Sequence, residues 1–310
     1  MRVKVLGSAA GGGFPQWNCN CSNCSALRSG DAKTRPRTQA QVAVSPFPSR
    51  WFLLNASPDL RQQLLAAPEL APSTAAPASP VSTVLLTGAD VDSVMGLLHL
   101  REFQPLHIFS TVAVRRILTE ENSLFRVLTR SNPPVKWDTF FVDRIQPLLP
   151  PTSPGMKDGF FCKAVPLLGN FPDYVSDSLR HSLPPEEATI GLQLIHREKR
   201  LFFAPGLPGI GEEWRRHVDE SDLALLDGTF WKEDELSAAR RGNKTAREMG
   251  HLPLSGERGL LRQPFRIGKT RRVLIHLNNT NPVLNEASPE HRHVRDAGFE
   301  IAYDGMEFEL

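Results

Sequence analysis

Apolar and polar positions alternate from the first residue. Met1, Val3 and Val5 fall on one side of an extended chain and Arg2 and Lys4 on the other, the period of a strand with one buried face. The pattern predicts a second pair of strands from Gln39 to Ser45 and from Trp51 to Asn55, separated by the turn-forming run Pro46-Phe47-Pro48-Ser49. A helix is expected from Pro58 to Leu65, opened at Ser57 with proline at its first position. Between Ala66 and Pro80 the composition shifts to Ala, Pro and Ser, which reads as a surface loop or linker. An apolar strand from Val81 to Thr87 runs into Gly88-Ala89-Asp90-Val91-Asp92-Ser93. A helix from Gly96 to Phe103 and a strand from His107 to Ser110 follow. Ile117, Leu118, Leu124, Phe125 and Leu128 give helical spacing to the stretch from Val112 to Arg130. Further strands are expected at Leu192 to His196, Arg200 to Ala204, Leu223 to Leu226 and Val273 to Leu277. The segment from Glu300 to Leu310 reads as a hairpin turning at Asp304-Gly305. Strands in runs with interspersed helices, and no internal repeat, predict a layered α/β fold.

Composition narrows the functional classes. The 310 residues carry 36 Lys and Arg against 34 Asp and Glu, a net charge of +2 that gives no reason to expect a nucleic-acid partner. Hydrophobic residues at 40% and charged ones at 23% are ordinary for a soluble protein. No run approaches the roughly 18 apolar residues of a membrane span, and the opening residues lack the apolar core of a signal peptide. Four cysteines are too few for a disulfide scaffold of this size, so the cytoplasm is the expected compartment.

Three of those cysteines, Cys19, Cys21 and Cys24, fall within six residues. Thiolates at C-x-C-x-x-C spacing can converge on one soft cation, and a structural zinc wants four ligands. The fourth must come from elsewhere in the chain, and unpaired thiols or a redox pair are the plainer alternative. Cys162, in Gly159-Phe160-Phe161-Cys162, reads as a small core residue. Asp90 and Asp92 follow one strand, Asp227 ends another, and His276 follows Val273-Leu274-Ile275. His251 lies in the loop Met249-Gly250-His251-Leu252-Pro253. Polar groups at strand ends often share one sheet edge, and carboxylates with imidazoles suit a hard or borderline divalent metal. Taken singly, each also reads as a capping aspartate or a hydrogen-bonded histidine. The other histidines (His99, His107, His181, His196, His217, His291 and His293) read as surface or packing residues. Gly7 to Gly13 lacks the pattern of a phosphate loop and reads as a tight loop. The basic stretch from Arg240 to Arg272, broken by acids and prolines, reads as a solvated loop region.

The run Gly7-Ser8-Ala9-Ala10-Gly11-Gly12-Gly13-Phe14-Pro15-Gln16-Trp17-Asn18-Cys19-Asn20-Cys21 strongly resembles the opening of the coenzyme pyrroloquinoline quinone (PQQ) synthesis protein B family. So do Asn55-Ala56-Ser57-Pro58-Asp59-Leu60-Arg61, Phe203-Ala204-Pro205-Gly206-Leu207, Leu226-Asp227-Gly228-Thr229-Phe230-Trp231 and Arg247-Glu248-Met249-Gly250-His251. His276-Leu277-Asn278-Asn279-Thr280-Asn281-Pro282-Val283-Leu284, Ser288-Pro289-Glu290 and Asp304-Gly305-Met306 close the match, which spans essentially the whole chain. The resemblance implies one metallo-β-lactamase-like domain over residues 1–310, a four-layer αβ/βα sandwich with metals at the edge between two sheets. Most members of that superfamily end the strand in T-H-x-H-x-D-H; here Thr87 is followed by Gly88-Ala89-Asp90-Val91-Asp92-Ser93, which keeps only Asp92. Ser93 stands where the family retains a histidine, and a neutral hydroxyl is a weak ligand for Fe(II). Asp227 and His276 match the superfamily's bridging aspartate and final histidine.

The implied function is PQQ biosynthesis, by iron-dependent hydroxylation of a tyrosine-derived precursor. Asp92, Asp227, His251 and His276 would hold the catalytic metal, and the cysteines a structural zinc. A carrier of PQQ or its precursor to the periplasm is the alternative. A metal-dependent phosphodiesterase is a third reading, weakened by the missing first-metal histidines. In phosphodiesterase relatives a histidine completes the zinc site three residues after the last metal histidine, where this chain has Asn279. Expected partners are a tyrosine-derived or quinone-precursor small molecule or peptide and other PQQ-synthesis proteins. The oligomeric state, homodimer included, stays open.

Overall fold

A computed structural model describes residues 1–48, 50–72, 78–102, 104–130, 133–152, 158–239, 242–266, 268 and 270–310. The strands, in chain order, are β1 (Arg2–Gly7), β2 (Gln41–Phe47), β3 (Arg50–Leu54), β4 (Val81–Leu85), β5 (His107–Ser110), β6 (Lys136–Thr139) and β7 (Ile145–Leu149). They continue with β8 (Phe160–Pro166), β9 (Ile190–His196), β10 (Lys199–Ala204), β11 (Leu223–Asp227), β12 (Arg271–Ile275), β13 (Phe299–Ile301) and β14 (Glu307–Glu309). The α-helices are α1 (Ser22–Arg28), α2 (Leu60–Leu65), α3 (Val91–Val94), α4 (Val112–Arg116), α5 (Asp177–Ser182), α6 (Glu212–Asp219), α7 (Glu235–Ala238) and α8 (Pro289–Asp296). The chain divides into two compact units. The first holds Met1–Leu6, Gln41–Arg200 and Gly305–Leu310, the second Gly7–Ala40 and Leu201–Asp304. No helix among the described residues is long and apolar enough to cross a membrane.

In the first unit the sheet order is β14-β1-β2-β3-β4-β5-β6. Pairing is parallel from β3 to β6 and antiparallel between β2 and β3 and between β1 and β14. Strands β7, β8 and β9 form an antiparallel meander. Trp51, Leu53, Val84, Ile108, Ile117 and Leu128 belong to one buried apolar cluster, the burial that stabilises this unit. Cys162 is fully buried on β8, as expected, and burial alone pushes its thiol pKa up.

The loop carrying Asp90, Asp92 and Ser93 is fixed within this unit. Asn55, in the left-handed region at φ 63°, accepts the Thr87 backbone N–H through Oδ1 at 2.9 Å and donates through Nδ2 to Thr87 Oγ1 at 2.9 Å. Farther along, Ser93 N–H donates to Asp90 O at 2.9 Å, while Ser93 O accepts from Ala56 N–H at 2.7 Å. Gly96 is required where it stands, since a Cβ there would lie 2.3 Å from Ser57 O.

Several predicted boundaries move. Helix α2 starts at Leu60, because Pro58 and Asp59 form a turn in which Ser57 Oγ accepts from Asp59 N–H and bonds Gln63. The segment from Val112 to Arg130 is three short helical pieces, α4, a π turn (Ile117–Glu121) and a 3-10 helix (Ser123–Arg130). Asn122 marks the break, its Nδ2 donating to the Ile117 carbonyl. The helix expected from Gly96 is a 3-10 helix (Met95–Arg101), and Phe103 lies outside the described residues. Within the Ala/Pro-rich loop, Ala67 and Leu70 are buried around a 3-10 turn (Pro68–Leu70). Residues 73–77 of that loop, and Ser49 of the predicted turn, lie outside the described residues.

The second unit positions the chemistry. Strands β10 (from Leu201), β11, β12 and β13 are parallel neighbours, and β11 is buried along its whole length, as strands covered on both faces are. Register aligns Ala204 with Leu226 and Asp227 with Ile275, so the carboxyl ends of three adjacent strands finish together. The glycine-rich loop lies against this end. Leu277 N–H donates to Ser8 O and Ala10 N–H to Leu277 O, both at 2.9 Å. Gly12 and Gly13 turn this loop at φ 90° and 69°, values an L side chain adopts only under strain.

Two expectations fail in this part of the chain. The closing segment is not a hairpin: β13 pairs with β12 in parallel and β14 pairs with β1 antiparallel. The Asp304 carboxylate anchors the corner between them, accepting from Ser8 Oγ at 2.7 Å, Thr38 N–H at 2.6 Å and Thr38 Oγ1 at 2.7 Å. The stretch from Arg240 to Arg272 is not simply solvated, since Ala246, Leu252, Leu254 and Leu260 are buried within it. Its residues 240, 241, 267 and 269 lie outside the described residues.

Candidate metal centres

The second unit gathers two sets of ligating side chains. Among the described residues these are the groups of three or more His, Cys, Asp or Glu within metal-holding distance: Cys19, Cys21 and Cys24, and Asp227, His251 and His276. In each set the ligand atoms lie within 4.8 Å of one another.

The thiol set is closed. Cys19 and Cys21 sit on the turn before α1 and Cys24 on the helix itself, which brings the short C-x-C-x-x-C run around one point. Cys19 and Cys24 are buried, and burial pushes the Cys21 thiol up to about 11. The Asn279 amide lies at the remaining corner, its Nδ2 3.0 Å from Cys19 Sγ, 3.6 Å from Cys21 Sγ and 3.5 Å from Cys24 Sγ. Amide nitrogen and oxygen exchange places on a half-turn, so the same position can present Oδ1. Asn23 fixes the loop behind it, donating to Asn279 O at 3.1 Å and to Asn281 O at 2.9 Å. Three sulfurs supply three of the four donors that a structural zinc takes, and the Asn279 amide is the polar group at the fourth corner. Asn23 escaped the sequence reading because nothing in its neighbourhood marks a residue that holds a distant loop.

The second set sits at the carboxyl ends of the parallel strands. Asp227 is the last residue of β11 and His276 the first beyond β12, with φ 62° in the left-handed region. His251 arrives on the loop after a 3-10 turn (Arg247–Met249) that closes on Gly250 at φ 80°. The two imidazoles stack with centroids 5.3 Å apart and planes 26° from parallel, and Phe230 meets His251 edge-on. Asp227 is fully buried and accepts four hydrogen bonds. Oδ1 takes Thr229 N–H at 3.0 Å and Thr229 Oγ1–H at 2.6 Å, while Oδ2 takes Leu207 N–H at 2.9 Å and His251 Nδ1–H at 2.8 Å. Burial pushes this carboxyl's pKa up, but the neighbouring imidazoles and its hydrogen bonds outweigh that and hold it below the ordinary range. Thr229 Oγ1 also lies 2.8 Å from His276 Nδ1 and 3.1 Å from His251 Nδ1.

Thr229 is the residue that sequence reasoning passed over, although it stands two positions after Asp227 in Leu226-Asp227-Gly228-Thr229-Phe230-Trp231. Of the predicted site residues, Asp227, His251, His276 and Asn279 lie in the second unit with the cysteines, whereas Asp90, Asp92 and Ser93 lie in the first. Asp92 is in the first turn of α3 and partly buried, as is Ser93, and Asp90 is exposed.

Beta-lactamase superfamily domains match residues 50–277. Coenzyme PQQ synthesis protein B of Pseudomonas paraeruginosa (strain DSM 24068 / PA7) is 39% identical over 310 residues, covering all of both chains. The chain belongs to the coenzyme PQQ synthesis protein B family. Its member from Azoarcus sp. (strain BH72) is 42% identical over 314 residues, again covering both chains in full. The crystal structure of Zn(2+)-bound PqqB from Methylobacterium extorquens superposes with a TM-score of 0.88 at 39% identity, with complete coverage of both chains. A diphosphatase of the PhnP family, at 16% identity and a TM-score of 0.64 over all of this chain and 98% of that one, shares the fold. The PQQ synthesis B fold is thus the metallo-β-lactamase one, two mixed sheets with helices.

Proposed function

We propose that the protein acts in PQQ biosynthesis by metal-dependent hydroxylation of a tyrosine-derived precursor. Support comes from family membership, with full-length relatives named for coenzyme PQQ synthesis. The observation that carries the chemistry is the set Asp227, His251 and His276 at the ends of parallel strands, where α/β proteins build their sites. Two imidazoles with a carboxylate are the donor types of non-haem iron oxygenases. Among the described residues His251 Nε2 carries no hydrogen bond, so a ligating lone pair remains on the imidazole. The residues therefore fit a divalent metal, and Fe(II) held there would supply activation of O₂.

The chain's own part is to hold the imidazoles in place and to keep Asp227 ionised in a dry setting. We assign the structural zinc to Cys19, Cys21, Cys24 and the Asn279 amide, in keeping with the Zn(2+)-bound state of the M. extorquens relative. The test is anaerobic Fe(II) titration followed by O₂ and a tyrosine-containing dipeptide. One bound iron and a product heavier by one oxygen are expected; iron-free protein and unaltered dipeptide would sink the hydroxylase reading.

Ser93 favours a second reading, a carrier of PQQ or its precursor, because it removes a ligand that the family resemblance leads one to expect. Titration with PQQ separates the two: a carrier binds the quinone without added iron and leaves the tyrosine dipeptide unaltered, whereas a hydroxylase needs Fe(II) and O₂ to change it.

A further inference from the structure

Resting on the metal-binding reading of Asp227, His251 and His276, we infer that Glu233 is a positioning residue that fixes the backbone of His251 against the strand end carrying Asp227. His251 is the one member of the set that no strand delivers. Asp227 ends β11 and His276 follows β12, whereas His251 arrives on the turn that runs from Thr245 to Gly250. That turn is shaped locally in the pattern of a capping box. Thr245 N–H donates to Glu248 Oε2 at 2.7 Å, and Glu248 N–H to Thr245 Oγ1 at 3.3 Å. Local shape does not place the turn in the fold; Glu233 does. Its carbonyl accepts from Ala246 N–H at 2.9 Å, its Oε1 from Arg247 N–H at 3.1 Å, and its Oε2 from the Arg247 guanidinium. The other arm of that guanidinium donates to Arg258 O at 3.3 Å.

The anchor passes directly to the ligand. Ala246 is buried and held at its N–H by Glu233, and its carbonyl accepts His251 N–H at 2.9 Å, with Gly250 reversing the chain between them at φ 80°. Two hydrogen bonds therefore join the Glu233 main chain to the His251 main chain. Downstream of His251 the chain is pinned to the same segment, Leu254 N–H donating to Phe230 O and Ser255 N–H to Trp231 O, both at 2.9 Å. Glu233 is the upstream counterpart of those bonds. The stretch that leaves β11 thus supplies the Asp227 carboxylate and also holds, on both sides, the histidine that meets it. The imidazole itself is set separately, by Asp227 Oδ2 at Nδ1 and by the edge of Phe230. Removing the Glu233 carboxylate would leave the upstream side on the carbonyl bond alone, with the ring's own partners untouched.

The test uses the full chain with its cysteine site loaded with zinc. Co(II) at the second site is titrated against a chromophoric chelator, and the ring signals of His251 and His276 are read by long-range ¹H–¹⁵N NMR before Co(II) is added. Glu233→Ala should lower Co(II) affinity about tenfold, the lower end of what lost outer support costs. It should shift the His251 signals and leave those of His276 in place. Glu233→Gln and Arg247→Gln, each of which keeps the bond to Arg247 N–H, should lie between Glu233→Ala and wild type. Bound zinc should stay the same, and Tm should move by no more than about 2–4 °C, since half-exposed ion pairs stabilise little. Wild-type affinity in Glu233→Ala would overturn the inference, and so would equal shifts of the two histidines, which mark a general loosening. Should Glu233→Ala not fold, Arg247→Gln decides by the same two readouts, because it leaves the Ala246 bond to Glu233 O intact. If the second site takes no Co(II) in the wild type, the metal reading fails, and a His251 signal unmoved by the substitutions would separately refute the positioning role.

Discussion

The two ligand clusters of the second unit are built on opposite principles. Around the thiols every direction is filled: two of the three cysteines are buried, and the Asn279 amide occupies the remaining corner. Around the imidazoles the satisfied groups lie on the inner side, where Asp227 and Thr229 hold Nδ1, while His251 keeps Nε2 unbonded among the described residues. Structural zinc sites are closed and catalytic ones keep an open position. The difference teaches that residue type alone does not assign a role. What matters is whether the donors are consumed by one another or held for something else. The segment from His276 to Asn279 serves both clusters, so they share a support while differing in purpose.

The sharpest break is removal of a sulfur. Cys24→Ser should abolish stoichiometric zinc, measured by metal analysis, and destabilise the fold. Zinc at about a thousand times its Kd adds about 4 kcal/mol of stability, so at about 2–4 °C per kcal/mol calorimetry should show Tm falling by roughly 10 °C. A Tm unchanged by both the substitution and a chelator would remove the structural role. His251→Ala should do the reverse. Co(II) affinity at the second site should fall by more than the roughly 100-fold that an outer partner contributes, with the cysteine-bound zinc retained.

Much of this contrast was legible in the sequence, for a physical reason. A C-x-C-x-x-C run needs only a local turn to converge, so spacing alone carries the information. Asp227 and His276 were found because strand ends in parallel register meet at one edge, and β11 and β12 read as apolar runs. Asn279 entered only through resemblance, since nothing local announces a ligand 260 positions from Cys19. The meander strands β7 and β8 went unread because Pro147, and Lys163 between buried residues, blur their pattern. The closing strands were misread as a hairpin because Asp-Gly marks a turn without saying which neighbours its strands will pair with. Thr229 was missed because a hydroxyl has a role only through what surrounds it.

Glu235 sharpens the comparison by probing the shared support. This carboxylate is almost wholly buried under the loop, accepts from Thr280 Oγ1 and Trp231 N–H, and is pushed by burial up to about 7. Raised in the folded state, it binds its proton more tightly there than when unfolded. Its contribution is therefore greatest below about 4.5 and is lost as pH climbs through about 7. The full shift corresponds to about 3 kcal/mol at 1.36 kcal/mol per unit. Urea unfolding of Glu235→Gln should thus lie near wild type at pH 5 and gain relative to it by up to that amount at pH 8. Equal slopes against pH for the two proteins would rule Glu235 out as the titrating group.

The smallest expected effect comes from the one substitution that makes the closed cluster more anionic. Asn279→Asp keeps the side chain's shape, and Asn23 should still hold the loop through Asn279 O and Asn281 O. Without metal, a carboxylate beside three thiols, with Cys21 already raised to about 11, is disfavoured, and the apo form should lose about 1–2 kcal/mol. With zinc bound, an anionic oxygen is the better fourth donor, so affinity by chelator competition should rise about tenfold, or about 1.4 kcal/mol. A fall in zinc affinity would show that the amide is not at the fourth corner. The Co(II) affinity of the other cluster, measured on the same protein, decides whether the shared segment transmits anything. His276 is held independently, its Nδ1 2.8 Å and its carbonyl oxygen 2.9 Å from Thr229 Oγ1, so the second site should bind Co(II) as before. A parallel change there would mean that the three peptide bonds from His276 to Asn279 couple the two clusters and that neither can be tuned alone.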